Sequence, residues 1–457
     1  MPDEGSNSET LTWQLAAFFR SFVRGEIPPG VAEKAKTLIL DTLGVAIAGS
    51  QSGEAHPLLD VILEAGGRKE ALIWGNAARV PAISAAFING LFAHVLEMDD
   101  THRATYLHAG AVVIPAAMAV GEKRRVSGRE FLGAVIAGYE TAIRIALSVS
   151  PEHRLRGFHT TATVGVFGAA MAAALLLKLD DRRMVNALGL AGTQAAGLFQ
   201  FLYDGSGAKR IHPGRSSQSG VLAALLAERG FAGSPAILEG TYGFGKVMSD
   251  RFDPAVIADK LGRRWHILEV GIKPYSACRF CHAPIDGALK IRAIPGFDSS
   301  LVELVEVIGS QQLCDQTGNP DPQTVAAAQL STPFSVALAF HVGRIMPGDV
   351  ENGLKDFNVM SLARRVKVAV NPGLAPTSRA VSVSVRYHSG KQETARIHLP
   401  AGEPENPLSR EYLGKKFMDL TVPVLGGKAA QRLFFKVGEI DRLKDISSLS
   451  AAVGLKN

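Results

Sequence analysis

From about residue 10 to residue 265 the apolar positions of this chain recur every three or four residues, interrupted by Gly, Pro and Asp. That spacing puts apolar side chains on one face of an α-helix, and the interruptions are ordinary helix ends. It predicts helices over Val31 to Ala48, Ile83 to Val95, Arg129 to Leu147 and Met184 to Phe201, so the first half reads as all-helical. The apolar run from Ala162 to Leu177 is dense in Ala and Gly. It falls short of the roughly 20 residues a bilayer span needs, and predicts a buried helix packed closely against its neighbours.

After Trp265 the period shortens. Val302 to Gly309, Arg365 to Val370 and Val381 to Tyr387 are rich in β-branched residues, and Val381, Val383 and Val385 alternate with small or polar neighbours, the mark of strands with one buried face. His388-Ser389-Gly390-Lys391 reads as a turn leading to Glu393 to Leu399, which predicts a β-hairpin. Helical spacing at Ser335 to His341 and Leu354 to Ser361 makes this second unit α+β. Beyond Pro407 the helical pattern returns, with Ser409 as its start. The expected architecture is therefore mainly α with a smaller α+β part: helical residues 1–267, an inserted α+β unit over 268–404, and helical residues 405–457 that rejoin the first unit.

Composition narrows the class. Apolar residues make up 47% of the 457 positions and charged residues 20%, a globular balance. The net charge of +6 is spread without a basic tract, so nucleic-acid binding is not expected, while a cationic pocket for anions is compatible. Three cysteines in so long a chain do not make a disulfide framework and favour a reducing compartment. Asp3, Glu4 and Glu9 give the N-terminus an acidic start unlike an export signal. The expectation is a cytoplasmic protein with no membrane partner.

Four stretches concentrate chemistry. Glu97-Met98-Asp99-Asp100-Thr101-His102 and the following His108 supply acids, bases and hydrogen-bonding groups just after a predicted helix. Asp99 and Asp100 equally suit a helix cap. His159 stands at the head of the Ala/Gly-rich helix, where free N–H groups attract anions, although an isolated histidine also commonly just packs. Asp204 to Ser217 is basic and rich in hydroxyls; its Gly205 to Lys209 spacing is wrong for a phosphate loop, and Lys209, Arg210 and Arg215 read as partners for carboxylates or as a solvated surface. Lys273 to His282 joins a lysine, Arg279, two cysteines and His282. Cys278, Cys281 and His282 invite zinc, but Cys314 has no matching ligand pair around it, so no metal is expected. In this stretch Lys273 suits a base or an electrostatic anchor, Arg279 a bidentate carboxylate partner, and Cys278 a proton donor or an inert thiol.

Taken in order, Leu40 to Gly49, Asp99-Asp100-Thr101 to Gly110, Gly157-Phe158-His159, Lys209 to Gly214 and Lys273-Pro274-Tyr275 to His282 resemble the MmgE/PrpD (2-methylcitrate dehydratase) family over nearly the whole chain. The resemblance implies a helical domain made from both chain ends, an α+β lid, a homodimer, and a site between the domains. It also implies work on di- or tricarboxylates without a cofactor, by dehydration, decarboxylation of cis-aconitate, or epimerisation of iminodisuccinate. Glu97, Thr101, His108, His159, Lys209 and Lys273 match site-lining positions. Two positions depart from the decarboxylase-like members: Cys278 stands where they have His, and Phe334 where they have Tyr. The expected machinery is thus His108, His159, Lys273 and Cys278 for proton transfer, with Glu97, Asp100, Thr101, Lys209, Arg279 and His282 binding substrate.

Overall fold

A computed structural model describes residues 10–204 and 206–453; the acidic N-terminal positions Asp3, Glu4 and Glu9, and Gly205, lie outside them. Two apolar cores organise the chain. The larger is built by helices between Leu11 and Glu228 and is completed by Phe417, Leu433, Val437 and Leu449 from the end of the chain. The smaller runs from Tyr275 to Ile397. The fold is mainly α with a small α+β unit, as the change of period implies.

Most predicted helices form within two or three residues of their expected limits: Pro29–Gly49, Ala82–His94 and Gly128–Val149. The last is opened by a capping box in which Ser127 and Glu130 satisfy each other's backbone N–H groups. It has the length and composition to cross a membrane, but 94% of its apolar window is buried inside the protein. Two expectations need correction. The helix expected to reach Phe201 stops at Gly192, and a separate turn of helix follows at Phe201–Asp204. The Ala/Gly-rich helix is broken at Val164 into Thr160–Thr163 and Gly165–Leu176. His159 therefore precedes a single turn and does not stand at the end of a long dipole.

In the smaller unit, strands Val302–Gly309 and Val381–Tyr387 form over the residues expected. The four-stranded sheet runs Val366–Val370, Val302–Gly309, Val381–Tyr387, Gln392–Ile397, with its first pair parallel and the others antiparallel. Val381, Val383, Val385 and Tyr387 face inward under the helix His282–Arg292, while Arg386 is exposed. The hairpin turn places Gly390 at φ +84°, a conformation glycine adopts without steric cost.

Glycine also decides how the site is assembled. A Cβ on Gly214 would lie 2.3 Å from the Phe87 carbonyl oxygen, and one on Gly90 would lie 2.9 Å from the Gly214 Cα. Helices Ala82–His94 and Ile211–Glu228 thus touch backbone to backbone. Glu97 comes just after the first and Lys209 just before the second, so this close approach brings their side chains together.

Candidate active site

Between the two units lies a narrow cavity of about 60 Å³ whose wall includes Glu97, Thr101, His108, His159, Lys209, Lys273 and Cys278. A wider surface groove of about 660 Å³ beside the helix His282–Arg292 holds a single histidine, His398, and lacks such a cluster.

Glu97 sits at φ +53°, a strained left-handed conformation for a residue with a side chain. The buried carboxylate bonds the Lys209 ammonium, Arg210 Nη1 at 3.0 Å and Lys273 Nζ at 3.2 Å. Burial alone raises a carboxyl pKa, but Lys209 and Lys273 reverse this and hold Glu97 well below the usual carboxylate range. Lys273 shows the converse: burial pulls it down, Glu97 and Asp99 more than restore it, and it ends above its ordinary value. It is held as an ammonium. The structure therefore favours the electrostatic half of the sequence expectation for Lys273 and makes it a poor base.

The histidines behave oppositely. His108 Nδ1 lies 2.8 Å from the Asp100 carbonyl, which can only accept, so Nδ1 donates and, among the described residues, the Nε2 lone pair is left free. Burial, assisted by Lys273, overcomes the attraction of Asp99 and lowers its pKa to about 3. His159 is also driven well below the ordinary imidazole value, first by burial and then by His212, whose Nδ1 is 2.9 Å from its own. Both rings are neutral at pH 7 and border the cavity. Behind them, Asp99 bonds His94 at 2.6 Å and lies 3.4 Å from His108 Nδ1. His94, Asp99 and His108 bring possible metal-ligand atoms within 4.8 Å of one another, as do His102, His266 and Glu269. In the first group Lys273 already stands 3.7 Å from Asp99; in the second, Arg264 holds Glu269.

Three expected residues are placed differently. Asp100 is wholly buried behind the wall, where it accepts from Tyr139 at 2.6 Å and from the Gly110 N–H at 3.0 Å; burial raises its pKa to about 7. It caps the helix Gly110–Arg124 from ten residues upstream. His282 uses both ring nitrogens inside the smaller unit, on Arg279 at 3.0 Å and the Ala277 carbonyl at 3.1 Å. Arg279 borders the cavity, but its guanidinium is engaged by Glu403 and the Ala401 carbonyl. Cys281 is buried near Thr332 and its thiol is pushed up by that burial; among the described residues Cys278, Cys281 and His282 are not one of the groups whose ligand atoms lie within 4.8 Å of one another. Arg215 is exposed on Gln218. Of the two departures from the decarboxylase-like pattern, Cys278 faces the cavity, whereas Phe334 is 1% exposed in the smaller core.

Sequence reading missed several contributors. His94 and His212 supply the polar backing together with Asp99, which the sequence had already marked. Lys416, from the helix Arg410–Leu425, pairs with buried Asp41 at 2.6 Å and donates to the Met98 carbonyl at 3.1 Å, pinning the site loop from the far end of the chain. Arg154 and Arg379 also line the cavity. Asp41 and His212 had a signal, as parts of the Leu40 to Gly49 and Lys209 to Gly214 stretches.

A two-unit, mainly helical fold with neutral imidazoles and paired lysines in the cleft between units defines a class of protein equipped for proton transfer on anions. The chain belongs to the MmgE/PrpD family: residues 13–257 match its N-terminal domain and residues 275–437 its C-terminal domain. Among curated relatives it is 26% identical to the cis-aconitate decarboxylase of Aspergillus terreus, over 97% of this chain and 96% of that protein. It is 25% identical to the human cis-aconitate decarboxylase, over 97% and 94%. A cis-aconitate decarboxylase-like protein of Aspergillus oryzae is also 25% identical, over 97% of each.

Proposed function

We propose that the chain is a lyase of small di- or tricarboxylates whose first step removes a proton next to a carboxylate. The observation that carries this is the free Nε2 of neutral His108, in the same cavity as neutral His159 and the ammonium groups of Lys209 and Lys273. A lone pair takes the proton, the C–H electrons pass into the carboxylate as an enediolate, and the two ammonium groups stabilise the charge that develops. In dehydration the electrons return, a β-hydroxyl leaves, and an ammonium or the Cys278 thiol supplies its proton, releasing water. A bound polyanion raises the pKa of both imidazoles from their depressed values, which strengthens them as bases when substrate is present.

Decarboxylation is the second reading, supported by the relatives named as cis-aconitate decarboxylases. There a C–C bond breaks, carbon dioxide leaves, and the electron pair left on carbon takes a proton from one of the same acids.

The test is incubation with 2-methylcitrate, citrate and cis-aconitate in deuterium oxide, followed by NMR and by capture of carbon dioxide. A new alkene from the hydroxy acids supports dehydration; carbon dioxide from cis-aconitate supports decarboxylation. Label entering recovered substrate without either product indicates an epimerase. If none of these occurs on a panel of polycarboxylates, the lyase reading fails.

A further inference from the structure

The cations lining the cavity differ in their partners. Lys209 and Lys273 share the carboxylate of Glu97 with Arg210 beside them, and Arg279 is paired with Glu403. Among the described residues Arg154 and Arg379 have no such partner. The Arg379 residue is 5% exposed, and among the described residues its guanidinium makes no hydrogen bond or ion pair; Nε and Nη1 are both buried and unsatisfied. It lies 3.7 Å above the Phe280 ring and 5.8 Å from that of Tyr106. Arg154 lies 4.4 Å from the Tyr106 ring and 4.9 Å from Phe199, donates from Nη2 to Gln316 at 2.9 Å, and leaves Nε unsatisfied. Aromatic faces orient a guanidinium and offset part of its desolvation, but they leave the N–H edge vacant. A charge withdrawn from water without an anion is costly, and here buried Arg379 and half-buried Arg154 stand on one wall, brought from different units: Arg154 from the helix Glu152–Leu155 and Arg379 from the loop before Val381–Tyr387.

We infer that Arg154 and Arg379 form a clamp for a carboxylate remote from the reacting carbon, and so set the preference for tricarboxylates over shorter dicarboxylates. This rests on the lyase reading only for where the reacting carbon lies. The planar fork of each guanidinium matches the two oxygens of a carboxylate, and stacking on Tyr106, Phe199 and Phe280 fixes the direction in which it presents its donors. The anion joins the two units when it bridges the pair. Specificity follows from what a shorter acid leaves behind: buried donors with nothing to bind.

The experiment is calorimetric titration of the full chain with tricarballylate and with succinate, for the wild type, Arg379→Gln, Arg154→Gln and Arg379→Lys, each checked for its melting temperature. The clamp predicts that the wild type prefers tricarballylate and that either Gln variant loses roughly 10- to 100-fold in its affinity, the usual worth of a charge-assisted hydrogen bond. Succinate binding changes far less, so the preference collapses. Arg379→Lys recovers part of it, because charge returns without the fork. Folded Gln variants that bind both acids as the wild type does, or that weaken both equally, overturn the clamp. If the wild type binds neither acid, clamp and lyase reading fall together. If the clamp effect appears but no alkene, carbon dioxide or exchanged label is produced from the polycarboxylate panel, the lyase reading alone fails.

Discussion

Replacing Glu97 by Gln keeps the shape of the side chain and removes the charge that three buried cations share. Lys209, Arg210 Nη1 at 3.0 Å and Lys273 Nζ at 3.2 Å all rely on that one carboxylate, and each residue is at most 9% exposed. Breaking a buried ion pair by removing one partner costs about 3–5 kcal/mol, because the remaining charge stays desolvated. For a helical unit of this size each kcal/mol lowers the melting temperature by roughly 2–4 °C, so Glu97→Gln should lose about 6–20 °C in differential scanning calorimetry at neutral pH. The loss has a signature that separates charge from shape. Lys273 is kept charged by Glu97 and Asp99 against its burial, so adding Lys273→Met removes one of the stranded cations. The double variant should melt above Glu97→Gln alone, a coupling that additive damage does not give. A drop of less than about 2 °C for Glu97→Gln, or a double variant that is simply worse, would refute the reasoning that this carboxylate neutralises the cluster.

His159→Ala and His108→Ala should each lower turnover by about 10²- to 10⁴-fold while the melting temperature stays within a few degrees of wild type, as measured by steady-state assay and calorimetry. Full activity in both would remove the imidazoles from the chemistry. In the pH profile of kcat/KM, which reports the free enzyme, the acid limb should fall below pH 5, because His108 and His212 have pKa values of about 3 and 4 instead of 6.5. The same depression has a stability consequence: unfolding frees these rings to bind protons near their ordinary value, so their contribution is present above pH 6.5 and is lost as pH falls toward 3. Asp100 has the opposite sign, since its folded pKa is raised to about 7 from 3.8; its contribution is present at low pH and is lost as pH rises through 7. Gly214→Ala places a Cβ 2.3 Å from the Phe87 carbonyl and should cost at least about 1–3 kcal/mol, visible as a lower melting temperature together with a raised KM.

Helix and strand periods made the two units legible, because burial on one face leaves its mark in consecutive residues. The strands Val302–Gly309 and Val381–Tyr387 are the clearest cases. The break at Val164 was hidden by uniform apolarity: a wholly buried segment has no polar face to show where its phase slips. In the site, Glu97, His108, His159, Lys209 and Lys273 lie in dense polar or glycine-marked stretches that attract attention. Arg154 lies in a four-residue helix and Arg379 in a loop, and nothing local distinguishes an arginine without an anion from one in water. Lys416 was illegible for the same reason, since its partner Asp41 is 375 positions away. Asp100 and His282 failed in the other direction. Both sit beside site residues in sequence, yet their side chains are spent on Tyr139 and Gly110, and on Arg279 and Ala277.

The central claim is that imidazoles and cations from distant parts of the chain serve one bound polycarboxylate. A crystal structure of the complex with tricarballylate measures this directly. The account predicts one carboxylate at Lys209 and Lys273, another between Arg154 and Arg379, and a carbon bearing an acidic hydrogen about 3–3.5 Å from Nε2 of His108 or His159. Tricarballylate seated on another surface, or in the cavity with both imidazoles turned away from its carbon chain, would contradict it.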